Sequence, residues 1–409
     1  MRVDLQVPRQ YLKVVLLEGI HEWAVNALHD AGYNQVVTRD KALTGGELVD
    51  LIGDAHIVGI RSRTQLTDDV LRRAPHLMAI GCFCIGTNQV DLESAMRHGV
   101  PVFNAPFSNT RSVAELVIAE VILLMRGIPQ KNAVLHRNGW FKSAANSHEV
   151  RGKTLGVVGY GRIGTQVGVL AELLGMAVLY HDVEQRLPMG NARQVSSLDE
   201  LLGQSDVITL HVPDTAETAA MIGTSQLACM KLGSHLINAS RGRVVDIDAL
   251  AHALELGQLH GAAIDVFPEE PEGNGEAFDS PLIRFDNVLL TPHIGGSTIE
   301  AQANIAREVV NKLIRYSDTG ATASAVNFPE VSLPEARSVS RLLHVHRNRP
   351  GVMARIDKIL AASGINIAAQ VLRTNDEVGY VVTDVNAHAS AALLADLSAI
   401  DGTVRCRAL

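Results

Sequence analysis

The 409-residue sequence has few cysteines and few aromatic residues, since 4 positions are cysteine and 4% are Phe, Trp or Tyr. No cysteine pair has a second pair at zinc-site spacing, so the sequence predicts no metal site. Free cysteine packs like a small hydrophobic side chain, and we expect all four to be reduced packing residues. The four are Cys82, Cys84, Cys229 and Cys406.

Basic residues are in the minority, with 36 Lys and Arg against 44 Asp and Glu and a formal net charge of −8. Proteins that bind nucleic acid or anionic membranes without specificity need a cationic surface. The composition therefore argues against nucleic acid and membrane as partners. A local basic site is still compatible with this total.

Long apolar runs are also missing. No stretch approaches the about 18 apolar residues that a membrane-spanning helix needs. The N-terminal residues MRVDLQVPRQ contain no apolar segment of the secretory type, so we expect no signal peptide. These two expectations together predict a cytoplasmic protein.

The sequence does contain alternating apolar and amphipathic segments. From Lys13 onward, the short apolar runs KVVLLEG, HIVGI, LMAIG and VPVFNAP are separated by helix-like stretches. After Arg151 a second series follows, with six runs: TLGVVG, AVLYHD, DVITLHVP, HLINAS, GAAIDVF and NVLLTPH. Such alternation predicts parallel strands joined by crossover helices, and therefore an α/β fold with two doubly wound sheets.

Between the two series lies the segment SNTRSVAELVIAEVILLMRG, in which Ser112 and Glu115 have the spacing of a capping box. The predicted helix is apolar on nearly all sides, so it should be buried on most of them. Another subunit could cover it, or it could lie between the two domains.

After Pro334 the pattern changes to strand, helix, strand, strand, helix, strand. This βαββαβ order predicts a small ferredoxin-like sandwich that begins near Ser338.

Three glycines, Gly159, Gly161 and Gly164, have G-x-G-x-x-G spacing between an apolar run and a helix-like segment. In that context they favour a tight turn, close approach of the backbone to a pyrophosphate, and close helix–strand packing. Asp182 follows Gly164 by 18 residues, at the end of the next predicted strand. A carboxylate there binds a ribose diol and repels a 2′-phosphate, so the sequence predicts NAD rather than NADP.

Three further strand ends carry chemically useful side chains: Arg241, then Asp265 with Glu269 and Glu270, then His293. Ligands of open α/β sheets bind beyond the carboxyl ends of the strands. A histidine there can take the proton of a secondary alcohol as hydride leaves, and a carboxylate can orient its ring. An arginine can bind a substrate carboxylate in two places.

The motifs GYGRIG, NASRGRVVD, DVFPEEP and TPHIGGS resemble the signatures of the D-2-hydroxyacid dehydrogenases, in order over roughly residues 1 to 330. Within that family the chain is similar to the bacterial D-3-phosphoglycerate dehydrogenases. The stretches RSRT, GCFCIGTNQVDL, NAPFSNTRSVAE and SAVNFPEVSLP carry this similarity.

This resemblance implies that Arg241, Glu270 and His293 are the catalytic residues, since Glu270 precedes Pro271 as the family glutamate does. It also implies that Asp265 contacts the nicotinamide end of NAD. The residues expected to bind the cofactor are Gly159, Gly161, Arg162, Ile163, Gly164, Asp182, Ala239, Ser240, Asp265, Gly295 and Gly296.

We expect three domains. We interpret Gly295 and Gly296 as a hinge where the chain leaves the nucleotide domain, so the first domain should be discontinuous. Residues 1–107 and 296–336 would form a discontinuous substrate-binding domain of the flavodoxin-like type. Residues 108–295 would form the NAD-binding Rossmann domain, and residues 338–409 a regulatory domain. A hinge would let a cleft close on substrate and exclude water.

A phosphorylated acid needs local cations despite the negative total. Arg61, Ser62 and Arg63 come just after a first-domain strand, and Asn109 comes from the SNTR stretch. We predict these four as substrate residues. Trp140 and Lys142, in NGWFKS, could instead reach the cleft of a neighbouring subunit.

The terminal domain resembles an ACT module. This resemblance implies that His346, Asn348 and Asn366 bind L-serine between paired domains. A dimerisation domain without a ligand is the alternative. Related enzymes can carry a glycine pair in the preceding linker, whereas LPEARSVSRLL contains no glycine. A stiffer linker could weaken the transmission of a serine signal, so serine binding is a safer prediction than strong inhibition.

The resemblance therefore implies NAD-dependent oxidation of 3-phospho-D-glycerate to 3-phosphooxypyruvate, at the start of L-serine synthesis, by a homotetramer. One alternative is another D-2-hydroxyacid dehydrogenase, such as one that reduces 2-oxoglutarate. The other is a non-catalytic, NAD-sensing binding protein. The trio at the strand ends counts against the last of these.

Overall fold

The computed structural model describes residues 7–271, 273, 275–332 and 339–409. The chain forms two compact units. One consists of Met1–Ser108 with Gln302–Leu409, and the other consists of Asn109–Ala301. The residues that the structure describes form three sheets. The predicted fold class, two parallel α/β sheets and a small terminal domain, is confirmed.

The first sheet is parallel and has five strands: β1 (Lys13–Leu16), β2 (Gln35–Thr38), β3 (Ile57–Ile60), β4 (Ala79–Cys82) and β5 (Val102–Asn104). Their order is β2-β1-β3-β4-β5, which is the flavodoxin-like arrangement. The helices are α1 (Glu22–Asp30), α2 (Gly45–Ile52), α3 (Asp68–Arg72) and α4 (Leu92–Arg97). Both faces of the sheet carry a hydrophobic core, so strands β3 and β4 are buried along their whole length.

The second sheet is also parallel and has seven strands: β6 (Thr154–Val158), β7 (Ala177–His181), β8 (Arg193–Gln194), β9 (Val207–Leu210), β10 (Ser234–Asn238), β11 (Leu259–Ile264) and β12 (Val288–Leu290). The order β12-β11-β10-β9-β6-β7-β8 places β6 at the point where the winding reverses. Its helices are α7 (Arg162–Leu173), α8 (Leu198–Gln204), α9 (Thr224–Cys229) and α10 (Ile247–Glu255).

In the described part of the chain, three more α-helices lie outside these alternations: α5 (Thr110–Met125), α6 (Ile128–His136) and α11 (Ile299–Thr319). The predicted capping box on α5 is wrong. The helix begins at Thr110, so Ser112 lies inside its first turn and its hydroxyl pairs with Thr298 at 2.8 Å. Glu115 instead pairs with Arg111 one turn earlier.

The terminal sheet is antiparallel, in the order β14-β15-β13-β16. Its strands are β13 (Ser340–Arg347), β14 (Ile367–Thr374), β15 (Val378–Val385) and β16 (Thr403–Ala408), and its helices are α12 (Val352–Ala362) and α13 (Ala391–Ser398). The chain order βαββαβ is the predicted one.

This terminal sheet packs on the rest of the first unit. Buried Arg341 forms a two-pronged ion pair with Asp384, at 2.7 and 2.8 Å, and also donates to the carbonyl of Thr319 at 3.0 Å. The Tyr380 hydroxyl donates to the carbonyl of Gly320 at 2.6 Å. The prediction about the glycine-free linker concerns residues 333–343, of which 333–338 lie outside the described residues.

The cysteine prediction is partly wrong. Cys82 and Cys406 are buried and Cys84 is half-buried, but Cys229 is exposed at the end of α9. Among the described residues, no helix is both long and apolar enough to cross a membrane.

Candidate active site

The three glycines of the nucleotide motif connect β6 to α7, and each has a distinct structural reason. Gly159 has a φ of 88°, which favours glycine. A methyl group on Gly164 would lie 2.2 Å from the carbonyl oxygen of Gly159, so helix and turn touch there. A methyl group on Gly161 would meet no atom within 4 Å. The open space at Gly161 and the N-terminus of α7 fit a pyrophosphate.

Asp182 follows β7, and its carboxylate is oriented by backbone amides. Its Oδ2 accepts from the amide of Tyr160 at 2.9 Å, and its Oδ1 from the amide of Glu184 at 2.9 Å. The Tyr160 bond places the carboxylate beside the glycine turn. That position fits the ribose of NAD, whose binding by Asp182 stays a prediction.

The other predicted nucleotide residues lie on the same elements. Arg162 is the first residue of α7, and Ile163 packs against the core between α5 and the sheet. After β10, Ala239 packs against the same core, and buried Ser240 hydrogen-bonds to Asn238.

His293 and Glu270 form a direct pair. Nδ1 of His293 lies 2.9 Å from Oε2 of Glu270, and Oε1 of Glu270 accepts from the amide of Phe267 at 3.1 Å. Both side chains remain accessible, with 52% of the His293 side chain and 35% of the Glu270 side chain exposed. The carboxylate therefore fixes one ring nitrogen and leaves Nε2 of His293 for a substrate.

The pair shifts the pKa values of both groups. The hydrogen bond that His293 donates to the Glu270 carboxylate raises the pKa of His293, against the opposing effect of burial. Burial would raise the pKa of Glu270, but the hydrogen bonds from His293 and Phe267 outweigh it and the pKa is lowered. The carboxylate thus stabilises the protonated imidazole, which suits a group that takes up a proton.

Arg241 completes the trio. It follows β10, where the buried side chain of Asn238 donates to the Arg241 carbonyl at 3.0 Å. The positive charge of Arg241 acts on both His293 and Glu270. The structure therefore brings together the three residues that the sequence predicts as catalytic. Glu269, the neighbour of Glu270, has no part in the His293 pair.

Asp265 organises the turn that carries His293. It is only 2% exposed, and its Oδ1 accepts from Thr291 Oγ1 at 2.6 Å and from the Ile294 amide at 2.8 Å. Its Oδ2 accepts from the Gly295 amide at 2.8 Å. This role was not predicted from the sequence. A contact of Asp265 with nicotinamide stays a prediction.

Gly242 is a second residue whose structural role was not predicted from the sequence. A methyl group in its place would lie 1.9 Å from the carbonyl carbon of Phe267, next to the amide that binds Glu270. The backbone after β10 and the backbone after β11 therefore touch at this point. The glycine in SRGRVVD is the feature of the sequence that indicates this close contact.

The two glycines after His293 are tightly packed. A methyl group on Gly295 would lie 3.0 Å from Oδ2 of Asp265, and one on Gly296 would lie 2.3 Å from Nδ2 of Asn109. Their role as a hinge stays a prediction. Asn109 precedes α5, and its buried Oδ1 has no hydrogen-bond partner within the described residues.

The remaining predicted substrate residues lie in the first unit. Arg61, Ser62 and Arg63 directly follow β3. Ser62 and Arg63 are exposed, Arg61 is half-buried, and Thr64 is buried. The segment therefore leaves the side chain of Arg63 exposed and that of Arg61 partly exposed.

The three predicted effector residues are not close together in one chain. Buried His346 pairs with Gly379 in β15, whereas Asn366 precedes Ile367, which pairs with Val385 at the other end of that strand. Six residues of strand correspond to about 20 Å. Asn348 lies at the His346 end and donates to the carbonyl of Asn375. A ligand that touches both ends requires residues from two chains.

No group of three or more His, Cys, Asp or Glu side chains in the described part of the chain could hold a metal ion.

Comparisons with known proteins identify the families to which two segments of the chain are similar. Residues 118–295 match the family of the D-isomer specific 2-hydroxyacid dehydrogenase, NAD binding domain, and residues 342–405 match the AHAS small subunit-like ACT domain. D-lactate dehydrogenase from Aquifex aeolicus, solved with NAD and lactic acid, has a TM-score of 0.65 and is 28% identical. That similarity covers 78% of this chain and 100% of the other.

Full-length relatives are closer in sequence. The D-3-phosphoglycerate dehydrogenase of Haemophilus influenzae is 56% identical over 409 residues, which is 100% of both chains. The enzyme of the same name from Escherichia coli K12 is 56% identical over 407 residues, or 99% of both chains. The chain therefore belongs to the D-3-phosphoglycerate dehydrogenases, an NAD-dependent branch of the D-2-hydroxyacid dehydrogenase family.

Proposed function

We propose that this chain oxidises 3-phospho-D-glycerate to 3-phosphooxypyruvate with NAD, in the first step of L-serine synthesis. The observation that carries the proposal is the 2.9 Å pair of His293 and Glu270, whose pKa values are both affected by the charge of Arg241. The names of the full-length relatives support the choice of substrate.

His293, Glu270 and Arg241 have different roles in the reaction. Nε2 of His293 accepts the proton of the substrate 2-hydroxyl, and Glu270 stabilises the imidazolium that results. Arg241 binds the substrate carboxylate and holds the reacting carbon beside His293. Bound NAD supplies the acceptor for the hydride. Because His293 is half exposed, it can release its proton to solvent.

The phosphate of the substrate needs cations of its own. We assign it to Arg61 and Arg63, with Ser62 and Asn109 as further hydrogen-bonding groups. Two guanidinium groups on a fixed segment provide the paired donors that a phosphate dianion prefers. The local positive charge is compatible with a net charge of −8.

The direct test is NADH consumption with 3-phosphooxypyruvate and, in parallel, with 2-oxoglutarate. Fast turnover with the phosphorylated keto acid supports the proposal. Turnover with 2-oxoglutarate alone would assign a different acid to the same trio. No turnover with either acid, in a protein that still binds NADH, would favour the NAD-sensing alternative.

The proposed function includes regulation by L-serine, which would bind to His346, Asn348 and Asn366. The match of residues 342–405 to an ACT domain supports it. Since His346 and Asn366 lie at opposite ends of the sheet, two chains would contribute to each site. Chains with His346→Ala mixed with chains with Asn366→Ala should regain a serine site that neither variant has alone, as measured by calorimetry. No serine binding by the unchanged protein would leave the domain a purely structural role.

A homotetramer is the expected assembly. Apolar side chains are exposed on and after α6, including Leu135, Phe141 and Trp140, which is 82% exposed. Large exposed apolar groups of this kind are typical of protein–protein contacts. Sedimentation of the unchanged chain and of Leu135→Glu tests the assembly, because a charge in a buried contact should reduce the oligomer size.

A cytoplasmic location also stays a prediction. Cell fractionation, followed by assay of the reductase activity in each fraction, is the measurement that checks it.

A further inference from the structure

Glu18, which follows β1, is bound by the segment that carries the predicted phosphate-binding arginines. Its Oε1 accepts from the backbone amides of Arg61 at 3.2 Å and Thr64 at 2.9 Å. Its Oε2 accepts from the amide of Arg63 at 3.0 Å. Backbone N–H groups that converge in this way form a nest suited to an anion. Here a carboxylate of the chain itself occupies the nest.

Further contacts hold both Glu18 and the segment 61–64 that its carboxylate binds. Glu18 is 9% exposed and has a φ of 63°, which is a strained conformation for a residue with a side chain. The next amide, that of Gly19, donates to the carbonyl of Arg39 at 3.1 Å. From the other side, Nε2 of buried Gln89 donates to the carbonyl of Arg61 at 2.5 Å. The segment 61–64 is therefore held on both sides.

This arrangement leaves the two guanidinium groups for an external anion. The ion pairs formed among the described residues do not include the side chain of Arg61 or of Arg63. The backbone amides of Arg61, Arg63 and Thr64 could otherwise bind the anion in place of the guanidinium groups, but they already donate to Glu18. Their common partner also fixes the direction in which the side chains leave the backbone.

We propose that Glu18 is a positioning residue that sets the affinity for the phosphorylated substrate without touching it. The inference rests on the proposed function of Arg61 and Arg63 as phosphate ligands. Glu18 contributes by holding the backbone of both arginines in one conformation before substrate binds, so that less conformational entropy is lost on binding.

The test compares Glu18→Gln with the unchanged enzyme in the reduction of 3-phosphooxypyruvate. Gln has nearly the same shape, but its NH₂ group cannot accept from one of the three amides. We expect KM for 3-phosphooxypyruvate to rise about tenfold or more, as for loss of a charge-assisted hydrogen bond. The KM for NADH and kcat should change less than about twofold. Glu22→Gln is the matched control, since Glu22 is exposed in α1 and carries the same charge.

A double-mutant cycle separates positioning from general stability. Glu18→Gln is introduced into a chain that already carries Arg61→Met and Arg63→Met. If Glu18 acts through the arginines, its effect on KM should largely vanish in that background. An undiminished effect, or an unchanged KM in the otherwise intact enzyme, would overturn the proposal. If Glu18→Gln does not fold, Glu18→Asp replaces it in the same cycle, because it keeps the charge but shortens the reach.

The same variants distinguish a wrong phosphate assignment from a wrong role for Glu18. If the Arg61→Met and Arg63→Met chain binds 3-phosphooxypyruvate as well as the unchanged enzyme does, the phosphate assignment is wrong and the Glu18 proposal falls with it. If the arginine substitutions raise KM and Glu18→Gln does not, only the positioning role is wrong.

Discussion

His293 has a φ of 53°, in the left-handed region that residues with side chains rarely adopt. The hydrogen bonds of Asp265 to the turn hold this conformation. Strain of this kind persists only where the surroundings enforce it, and it is common at functional sites. A substitution at position 293 therefore tests the backbone as well as the imidazole.

Asn tolerates the left-handed region better than most residues, so His293→Asn removes the base with the least damage to the turn. We expect kcat to fall by about 10² to 10⁴, the usual contribution of a general base, with NADH affinity unchanged. Steady-state kinetics and NADH fluorescence titration measure the two quantities. His293→Ala should be equally inactive but less stable. Near-normal turnover in either variant would remove His293 from the mechanism.

The raised pKa of His293 leads to a pH prediction. Oxidation of the alcohol needs neutral His293, so the acid limb of kcat/KM for oxidation reports its pKa. Glu270→Gln removes the carboxylate that raises this pKa. The limb should therefore move to lower pH, and kcat should fall. Profiles of log kcat/KM against pH for both enzymes would show it, and an unmoved limb would mean that another group titrates there.

Among the contacts between secondary-structure elements, Gly242 is where the backbone after β10 meets the backbone after β11. Gly242→Ala places a methyl group 1.9 Å from a carbonyl carbon, so one of the two segments must move. We expect about 1–3 kcal/mol of destabilisation and a large loss of activity, because Phe267 and Glu270 move together. Gly203→Ala, in helix α8 with no close neighbour, is the control and should be neutral or slightly stabilising. Thermal unfolding of both variants is the measurement.

Helix α5 contains a second test, at Glu120. Both carboxyl oxygens are buried without a hydrogen-bond partner in the described part of the chain. Burial, with a smaller effect from Asp265, raises the pKa of Glu120 to about 8. The folded protein therefore holds a proton that the unfolded chain releases above its ordinary pKa of 4.5. Stability should fall as pH rises from about 4.5 to about 8, by up to about 1.4 kcal/mol per unit.

Glu120→Gln, which cannot ionise, should remove this dependence and stabilise the protein more at pH 8 than at pH 5. Denaturant unfolding at the two pH values checks it. Glu115→Gln on the exposed face of α5 is the control. An equal effect at both pH values would show that Glu120 is ionised in the folded chain.

Strong patterns in the sequence were enough to predict most elements, and weak ones were missed. Strand β2 has only four residues, and none is buried, so its apolar signal is poor. Strand β8 has two residues. The glycine turn and the trio were predictable because each depends on local order at a strand end. The contacts of Glu18 were not, because they join residues 43 to 46 positions apart.

The Arg341–Asp384 pair lies at the contact of the terminal sheet with the rest of the first unit. Removing one partner leaves a buried charge, which typically costs about 3–5 kcal/mol. Arg341→Ala should therefore lower the Tm and increase hydrogen exchange in β13 and β15. Arg355→Ala, on the exposed side of α12, is the control. A Tm equal to that of the control would mean that the pair contributes nothing.

The same contact has a consequence for a chain cut in two. Arg341 and Tyr380 donate to the carbonyls of Thr319 and Gly320, and the ring of Phe328 packs against that of Tyr380. These contacts do not depend on the peptide that joins the two parts. Two polypeptides, one ending at residue 332 and the other beginning at residue 339, should recognise each other and refold together when co-expressed. A nick in the connection would then leave a noncovalent complex rather than release a free domain.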